Sequence, residues 1–297
     1  MTENILRRDF LLGLGASTLL ASNQSSGAIS GTIPKNIPDL SLPLNNLINL
    51  MRMQSSLGDV DQTPWHYNGT LYAQKGSEQP IPMVNIEGME SYKVISKEDG
   101  SYEILGNMLT FFRDIDSNEM IREYENPFTG KVNQVLPNIR KASLGRGLNI
   151  STMGARPAPF IDQMPDKPLI LDWTFGPKTV WMHNQTSYPP GLSEPRLQRS
   201  TMFAPLDEFL DQNVNSLSSM FTSTVVMPWL PWMDMEGIEG HTLWHASGVK
   251  LDTIDQLPSD YYSRMMSEHS KLSSFNLHED SGPVIYESLT RENCWYN

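Results

Sequence analysis

The sequence predicts a mainly β protein in which an antiparallel meander curls into a barrel-like domain around a ligand cavity. Between residues 65 and 136, stretches rich in β-branched and aromatic residues alternate with turn clusters such as residues 98–100 (EDG) and 127–130 (PFTG). These connections are too short for the helical crossovers that parallel strands need. The pattern returns between residues 169 and 249, so residues 59–297 form one predicted domain with peripheral helices.

Residues 1–28 have the three regions of a twin-arginine export signal. Arg7 and Arg8 precede an apolar stretch at residues 11–21, and small residues follow at 26–28. The apolar stretch is too short to span a bilayer. We therefore expect the twin-arginine export machinery to deliver the chain to the periplasm, with no stable membrane insertion after cleavage. A chance arginine pair before a buried helix and an uncleaved, anchored form are the alternatives.

Residues 29–58 are predicted to be a linker followed by a helix. The linker is rich in proline and small residues, and it leads into Ser41 as a helix cap and Pro43 in the first turn. Leu44, Leu47 and Met51 then fall on one helical stripe.

Two groups of strands are predicted after this helix. The first group is expected at residues 65–73, 83–96, 102–114, 120–124 and 131–136. Residues 137–168 are rich in proline, glycine and arginine, and they are predicted to form a long ordered loop. The second group is expected at residues 169–175, 178–184, 220–227 and 241–249. Helices are predicted at residues 205–211 and 259–272.

The charge and the cysteine count exclude some partners and one kind of stabilisation. The formal net charge of −12 argues against nucleic acid and anionic lipid, because both need a basic surface. Cys294 is the single cysteine, so no intrachain disulfide can form even in an oxidising compartment. The stability of the domain must therefore come from packing.

Five short motifs follow one another along the chain in a recognisable order. They are residues 65–72 (WHYNGTLY), 87–88 (EG), 125–130 (ENPFTG), 228–233 (PWLPWM) and 245–250 (HASGVK). Together they resemble a bacterial family, domain of unknown function 1838, whose members often carry twin-arginine signals. The chain departs from the family pattern after Asn133, where Gln134 and Val135 replace a His-Val stretch. The resemblance implies a fold and export from the cytoplasm, and it brings no established mechanism.

The sequence predicts no metal site and no cofactor. His241 and His245 are four residues apart, a spacing that brings two imidazoles to one ion only on a helix. On the predicted strand the two rings lie about 13 Å apart, which is too far to share an ion. The chain also has no Gly-x-Ser-x-Gly elbow, phosphate-binding loop or dinucleotide fingerprint.

Cofactor-free chemistry needs a buried acid or base beside an apolar pocket, and four residues are candidates. His183 shares a predicted strand face with Trp181, and His245 shares one with His241. Glu87 could act as a general acid if it is buried, and Tyr67 could donate a phenolic hydrogen bond. The alternatives are core histidines, a solvated carboxylate and a tyrosine that only packs in the core.

Aromatic residues are predicted to form the wall of the ligand site. The predicted ligand-binding residues are Trp65, Trp181, Trp229, Trp232 and His241. The last two tryptophans are separated by Leu230 and Pro231, so they could close a cavity mouth and stack on an aromatic ligand. Packing of their loop onto the sheet is an equally good interpretation.

These observations predict an exported enzyme of lipocalin-like or calycin-like architecture that binds a small hydrophobic or aromatic molecule. The expected chemistry is cofactor-independent acid–base catalysis of the lyase, hydratase or isomerase type. The rival hypothesis is a non-catalytic periplasmic binding or carrier protein that uses the same cavity. Polar groups that converge on one point would favour the enzyme, and a uniformly apolar cavity would favour the carrier.

Overall fold

A computed structural model describes residues 36–58, 60–96, 98, 102–143, 147–149, 154–156, 168–187, 197–275 and 285–286. The predicted export signal, most of the predicted linker and Cys294 lie outside these residues. In the described part of the chain, no helix is long and apolar enough to cross a membrane.

The N-terminal part of the structure contains one helix and eight strands. They are α1 (Pro43–Gln54), β1 (Thr63–Gln74), β2 (Ile81–Ser96), β3 (Tyr102–Arg113), β4 (Glu123–Glu125), β5 (Val132–Gln134), β6 (Asn138–Ser143), β7 (Gly147–Asn149) and β8 (Gly154–Arg156). The C-terminal part contains β9 (Asp172–Phe175), β10 (Thr179–Ser187), β11 (Leu197–Pro205), α2 (Leu206–Leu210), β12 (Met220–Met227), β13 (His241–Lys250), α3 (Ser259–Glu268) and β14 (Ile285–Tyr286). Short 3₁₀ turns lie at Pro231–Met233, Ile254–Gln256 and Ser270–Ser273.

The main sheet consists of two antiparallel meanders that meet at one seam. Its strand order is β14-β6-β3-β2-β1-β13-β12-β11-β10-β9, with β7 and β8 attached beside β3. The seam is the pairing of β1 with β13, which runs from Trp65 opposite Lys250 to Gln74 opposite His241. The antiparallel, mainly β architecture is therefore confirmed.

The predicted closure into a barrel is wrong. Strands β14 and β9 end the strand order, and no pairing between them is present among the described residues. A barrel needs such a pairing, because closure requires the first and last strands to share hydrogen bonds. The sheet is open, and the predicted ligand cavity remains a prediction.

Some local predictions are also corrected. The segment predicted as a long loop contains β6, β7 and β8, and β11 was not predicted at all. Strand β11 reads LQRSTMFAP, which lacks a clear alternation, and its pairing with β10 on one side and β12 on the other makes it a strand. Leu42, not Ser41, is the N-cap residue of α1, and it makes no side-chain cap hydrogen bond; the Ser41 hydroxyl donates to Asp39 Oδ1 at 2.6 Å. Pro43 lies in the first turn as predicted.

Apolar residues pack on both faces of the sheet. The inner face carries Trp65, Tyr67 and Leu71, and α1, α2 and the 3₁₀ turn at Pro231–Met233 pack against it. The outer face carries His66, Glu87 and His245, because alternate residues of a strand point to opposite sides. On the outer face α3 covers only the part formed by Met89, Leu109 and Phe111. The rest of this face has no layer of described secondary structure over it.

Candidate active site on the outer face of the sheet

Glu87 lies near the middle of β2, on the outer face of the sheet. It is opposite Asn68 of β1 and Phe111 of β3, and its side chain is only 9% exposed. Glu87 Oε1 lies 3.0 Å from Nε2 of His66 on the neighbouring strand. A carboxylate and an imidazole are therefore paired at the edge of the apolar cluster under α3.

Arg113, the last residue of β3, fixes the second oxygen of Glu87. Its Nε donates to Glu87 Oε2 at 2.7 Å, and its Nη2 makes a second hydrogen bond to the same oxygen. Nη2 also donates to Asp260 Oδ2 at 2.6 Å, and Nη1 donates to the carbonyl of Asn118 at 3.0 Å. Charge-assisted hydrogen bonds of this kind hold a carboxylate in a fixed orientation.

The two ends of this arginine bridge have shifted pKa values. Burial lowers the pKa of Arg113, but the hydrogen bonds to Asp260 and Glu87 outweigh burial and raise it above its ordinary value. The hydrogen bond from Arg113 lowers the pKa of Asp260, which is the second residue of α3. Both groups therefore stay charged at neutral pH, and they link the sheet to the start of α3.

Tyr261 of α3 forms one wall beside His66. The two rings meet edge to face with centroids 6.3 Å apart, and the Tyr261 hydroxyl donates to the Leu109 carbonyl at 2.7 Å. Phe111 also packs against Tyr261, with ring centroids 5.3 Å apart. This packing fixes the position of α3, and hence of Asp260, over the sheet.

His66 is closed on one side and open on the other. Its neighbour on β2 is Met89, which α3 buries completely, whereas its neighbour on β13 is Val249, which is 40% exposed. The imidazole is 17% exposed, and Nε2 is the nitrogen paired with Glu87. Nδ1 has no hydrogen-bond partner among the described residues. The ring is therefore partly exposed, and the exposed Val249 is its neighbour on the open side.

The structure does not bring the predicted histidines to Glu87. His245 lies two strands from Glu87 and two residues along, about 12 Å away over the sheet. His183 lies five strands from Glu87, about 24 Å away. Both are on the outer face, and each ring accepts or donates through Nδ1 to a threonine hydroxyl, of Thr224 and Thr201 respectively. His241 is half-buried at the start of β13.

Tyr67 lies on the inner face, so the sheet separates it from Glu87. Its hydroxyl is 2.5 Å from Thr110 Oγ1, and burial raises the pKa of Tyr67 well above its ordinary value. The ring lies across Gly88, where an added Cβ would be 2.2 Å from the tyrosine ring. These contacts are those of a core residue.

The predicted aromatic wall is divided among different places. Trp65 is 1% exposed and donates from Nε1 to the Gln54 carbonyl at 2.9 Å. Trp232 is buried against Phe112 and Tyr124, and the half-buried Trp229 donates to the Ile238 carbonyl. Trp181, on the outer face, packs over Gly176. For the loop of Trp229 and Trp232, these contacts match the packing interpretation.

Sequence reasoning missed three of the four residues in the cluster. The alternation of residues 65–73 does place His66 on the face opposite Tyr67, and that pattern could have identified it. The pairing of His66 with Glu87 depends on the register of β1 and β2. Asp260 is 147 residues from Arg113, and no local pattern in the sequence connects them.

The fold and this cluster define an open antiparallel β-sheet protein with a half-buried His–Glu–Arg–Asp cluster on its outer face. Among the described residues, no group of three or more His, Cys, Asp or Glu side chains could hold a metal ion. The chain belongs to the family described as protein of unknown function (DUF1838), whose model matches residues 61–143 and 183–275. The first matched segment contains His66, Glu87 and Arg113, and the second contains Asp260.

Two further comparisons add little to this assignment. No curated protein matches the chain. The chain is similar at 10% identity to a chain in the crystal structure of MucB in complex with MucA(peri), over 76% of this chain and 96% of that one. The TM-score is 0.12, so this likeness carries no argument about the fold.

Proposed function

We propose that the protein is an exported enzyme that performs cofactor-independent acid–base chemistry on a small molecule at His66 and Glu87. The observation that carries the proposal is the contact of 3.0 Å between His66 Nε2 and Glu87 Oε1, in a cluster with one open side. A histidine oriented by a carboxylate is the usual arrangement for a general base.

Each residue of the cluster has a distinct role in this proposal. Glu87 accepts a hydrogen bond from the Nε2–H of His66, and this tautomer leaves the lone pair on Nδ1 free to take a proton from a substrate. Arg113 keeps Glu87 in the orientation that this requires, and Asp260 keeps Arg113 in place. His66 then returns the proton to a different atom of the same molecule. This sequence of steps suits a lyase, a hydratase or an isomerase.

The surroundings of His66 support a substrate with an apolar part. Val249 and Met220 are neighbours in register on β13 and β12, and they are 40% and 43% exposed. They would form an apolar floor beside the imidazole. Asn68 and Ser247 follow at the next register position and are exposed, so they would bind a polar group of the substrate.

A periplasmic binding or carrier protein is the second candidate function. Its ligand would lie against the apolar inner face of the sheet, where the half-buried Phe221 lies between the two apolar clusters and contacts both. A hydrophobic ligand held there would need no acid or base. The carrier would bind its ligand without changing it, so the two candidates differ in one measurable property.

The first experiment identifies the ligand and then follows it. Protein purified from its own periplasm is analysed by native mass spectrometry, and the retained molecule is incubated with fresh protein and followed by NMR. The enzyme converts it, whereas a carrier returns it unchanged. Unchanged ligand over many hours at high protein concentration would contradict the proposed catalysis.

The second experiment tests the residues with matched variants. We expect His66→Gln and Glu87→Gln to lower kcat by about 100-fold or more, because each removes a participant in proton transfer. His245→Gln is the control, since His245 is an exposed histidine of the same sheet face outside the cluster. We expect its kcat to stay within about threefold of the wild type. Circular dichroism and a urea titration establish that all three variants are folded. Equal losses in His245→Gln and His66→Gln would contradict the assignment.

Export is tested separately from the chemistry. We expect a chain with both Arg7→Lys and Arg8→Lys to remain in the cytoplasmic fraction, while the wild-type chain is recovered from the periplasm. A chain with Lys75→Arg is the control for a conservative change of a basic residue elsewhere. Periplasmic recovery of the double-lysine variant would contradict the twin-arginine route.

A further inference from the structure

The outer face of the sheet beyond His66 carries two adjacent cross-strand rows of polar residues. In the first row each residue is the register partner of the next, from β9 to β1: Asp172, His183, Thr201, Thr222, Ser247 and Asn68. The second row runs from β10 to β2: Gln185, Arg199, Thr224, His245, Thr70 and Asn85. We call these twelve residues the polar ladder.

The ladder is a partly exposed and partly preorganised surface for hydrogen bonds, with six of its residues exposed and six half-buried. Three pairs of neighbours are already joined: His183 with Thr201 at 3.0 Å, His245 with Thr224 at 3.1 Å, and Thr70 with Asn85 at 3.2 Å. In both histidine pairs Nδ1 is engaged, so Nε2 is left for another partner. The side chains of Thr222, Ser247 and Asn68 make no hydrogen bond within the described part of the chain.

The charge of the ladder contrasts with the charge of the chain. The whole sequence has a net charge of −12, yet Asp172 and Arg199 are the two charged residues of the ladder. The first row continues on β2 into Glu87 and the second continues on β3 into Arg113, and these two charges are paired with each other. Asp172 and Arg199 offset each other, and the remaining ten side chains are hydroxyls, amides and imidazoles. A surface of this kind does not attract an anionic partner, and it exposes few charges that would lose their hydration when a neutral partner binds.

Apolar rows border the ladder on both sides. One border, in register, is Trp181, Phe203, Met220 and Val249, all half-buried or exposed. The other is Leu197, Val226, Leu243 and Tyr72. The ladder spans five strand spacings, about 24 Å, and its two rows are about 7 Å apart. It is therefore a narrow polar band between two apolar bands.

We propose that the polar ladder binds a neutral polyhydroxylated chain, an oligosaccharide or polysaccharide lying across the strands. Each sugar ring has a rim of hydroxyl groups and apolar C–H faces, and the polar band and its apolar borders match this division. Trp181 and Tyr72 stand at opposite borders, where their rings can pack against sugar faces. This inference rests on the register of the strands and needs no acid–base chemistry at His66, although the ladder shares Asn68 and Ser247 with the surface proposed to hold the substrate there.

Calorimetric titration of the purified protein with cellohexaose, maltohexaose and chitohexaose tests the proposal. We expect at least one of the three to bind. Ser247→Ala should weaken that binding about threefold, and the triple change Thr201→Val, Thr222→Val and Thr224→Val should weaken it tenfold or more, because hydroxyl partners are lost without a change of shape. Ser200→Ala is the control, since Ser200 is half-buried next to Thr201 and belongs to the inner face.

Three results would overturn the proposal. The first is the absence of binding of all three neutral hexasaccharides at millimolar concentration. The second is an equal loss of affinity in Ser247→Ala and Ser200→Ala. The third is binding of polygalacturonate, an anionic chain, more tightly than any of the neutral probes. Because binding is measured without turnover, none of these results depends on His66 or Glu87.

Discussion

Two regions of the protein bury basic side chains, and the groups that accept hydrogen bonds from these side chains differ between the two regions. On the outer face Arg113 is paired with the carboxylates of Glu87 and Asp260. At the end of α1, Arg52 is 1% exposed, and its hydrogen bonds go to Asn49 Oδ1 and to the carbonyls of Glu208, Phe209, Asp211 and Val214. One cation is held by anions, and the other is held by neutral oxygens.

Lys250, close to Arg52, is likewise held by uncharged oxygen atoms. Its Nζ donates to the carbonyls of Arg52 and Ser55 at 2.8 and 2.9 Å and to the Ser216 hydroxyl at 3.3 Å. The ammonium also lies 5.6 Å from the centre of the Trp65 ring. Burial lowers the pKa of Lys250 to about 7, although the carboxylate of Glu208 counteracts this effect and Arg52 adds to it.

The difference between the two regions distinguishes a candidate active site from a set of contacts that only stabilises the fold. Carboxylates raise the pKa of Arg113 and hold a histidine that is open to solvent on one side. Carbonyls leave the pKa of Arg52 lowered by burial, and the hydrogen bonds tie α1 to the segment that follows α2. Arg52 also satisfies carbonyls at the C-terminal end of α2, where a positive charge is favourable. We therefore expect substitutions to affect catalysis in the first region and stability in the second.

The largest expected effect on stability is that of Arg52→Met. Removing the guanidinium leaves several buried oxygens without a donor, so we expect the free energy of unfolding to fall by about 3 kcal/mol or more. Urea denaturation followed by tryptophan fluorescence measures this change. Arg199→Met is the control, because Arg199 is exposed on β11, and its effect should stay within about 0.5 kcal/mol. Equal unfolding midpoints for the two variants would contradict the role given to Arg52.

Lys250 predicts an unusual dependence of stability on pH. Between about 7 and the ordinary value of 10.5, the unfolded amine is protonated while the folded amine is neutral. The unfolded state then binds more protons, so the lowered pKa of Lys250 makes stability rise as pH increases through this range. The side chain is half-buried, so the expected gain from pH 7 to pH 9 is only about 1–2 kcal/mol.

Lys250→Met isolates this contribution from the other titrating groups. We expect the free energy of unfolding of the wild type, minus that of Lys250→Met, to become larger from pH 7 to pH 9 in urea titrations. The substitution keeps the length of the side chain and its packing on Trp65. Two curves that stay parallel over this range would show that Lys250 titrates at its ordinary pKa.

The comparison also shows which contacts the sequence could predict. The pairings within β1, β2 and β3 join neighbours along the chain, and short turns between them predict those pairings. The seam between β1 and β13 joins Trp65 to Lys250, and no pattern in either strand specifies the other. Without this pairing of β1 with β13, the strand pattern is compatible with a closed barrel. When it is formed, two meanders extend from it in opposite directions and leave two free ends.

The same limit applies to the candidate site. Alternation predicted the faces of Glu87, His183, His245 and Tyr67 correctly, because the strand period of two is a local property. Grouping them at one point required the strand order, which places His183 five strands from Glu87. The carbonyl partners of Arg52 come from backbone more than 150 residues away, and their positions follow from packing alone.

The smallest expected effect on stability is that of Asp260→Asn, and it tests the boundary between the two regions. Asp260 pairs with a buried arginine, but its own side chain is 59% exposed. A lowered pKa stabilises the fold at pH values above the ordinary value of 3.8, and this contribution is lost as pH falls through the lowered pKa. Because solvent screens an exposed carboxylate, we expect a cost of less than about 1 kcal/mol at pH 7, and this cost becomes smaller as pH falls below 3.8.

In the proposed reaction Asp260 acts on His66 only through Arg113 and Glu87, so it is a positioning residue. We expect Asp260→Asn to lower kcat less than tenfold and to leave KM unchanged, whereas Glu87→Gln lowers kcat far more. Asp234→Asn is the matched control, because Asp234 pairs with Lys131 at 2.5 Å in an ion pair exposed on both sides. A loss of kcat in Asp260→Asn as large as that in Glu87→Gln would show that Asp260 is more than a positioning residue. A loss no greater than that in Asp234→Asn would mean that Arg113 holds Glu87 without the help of α3.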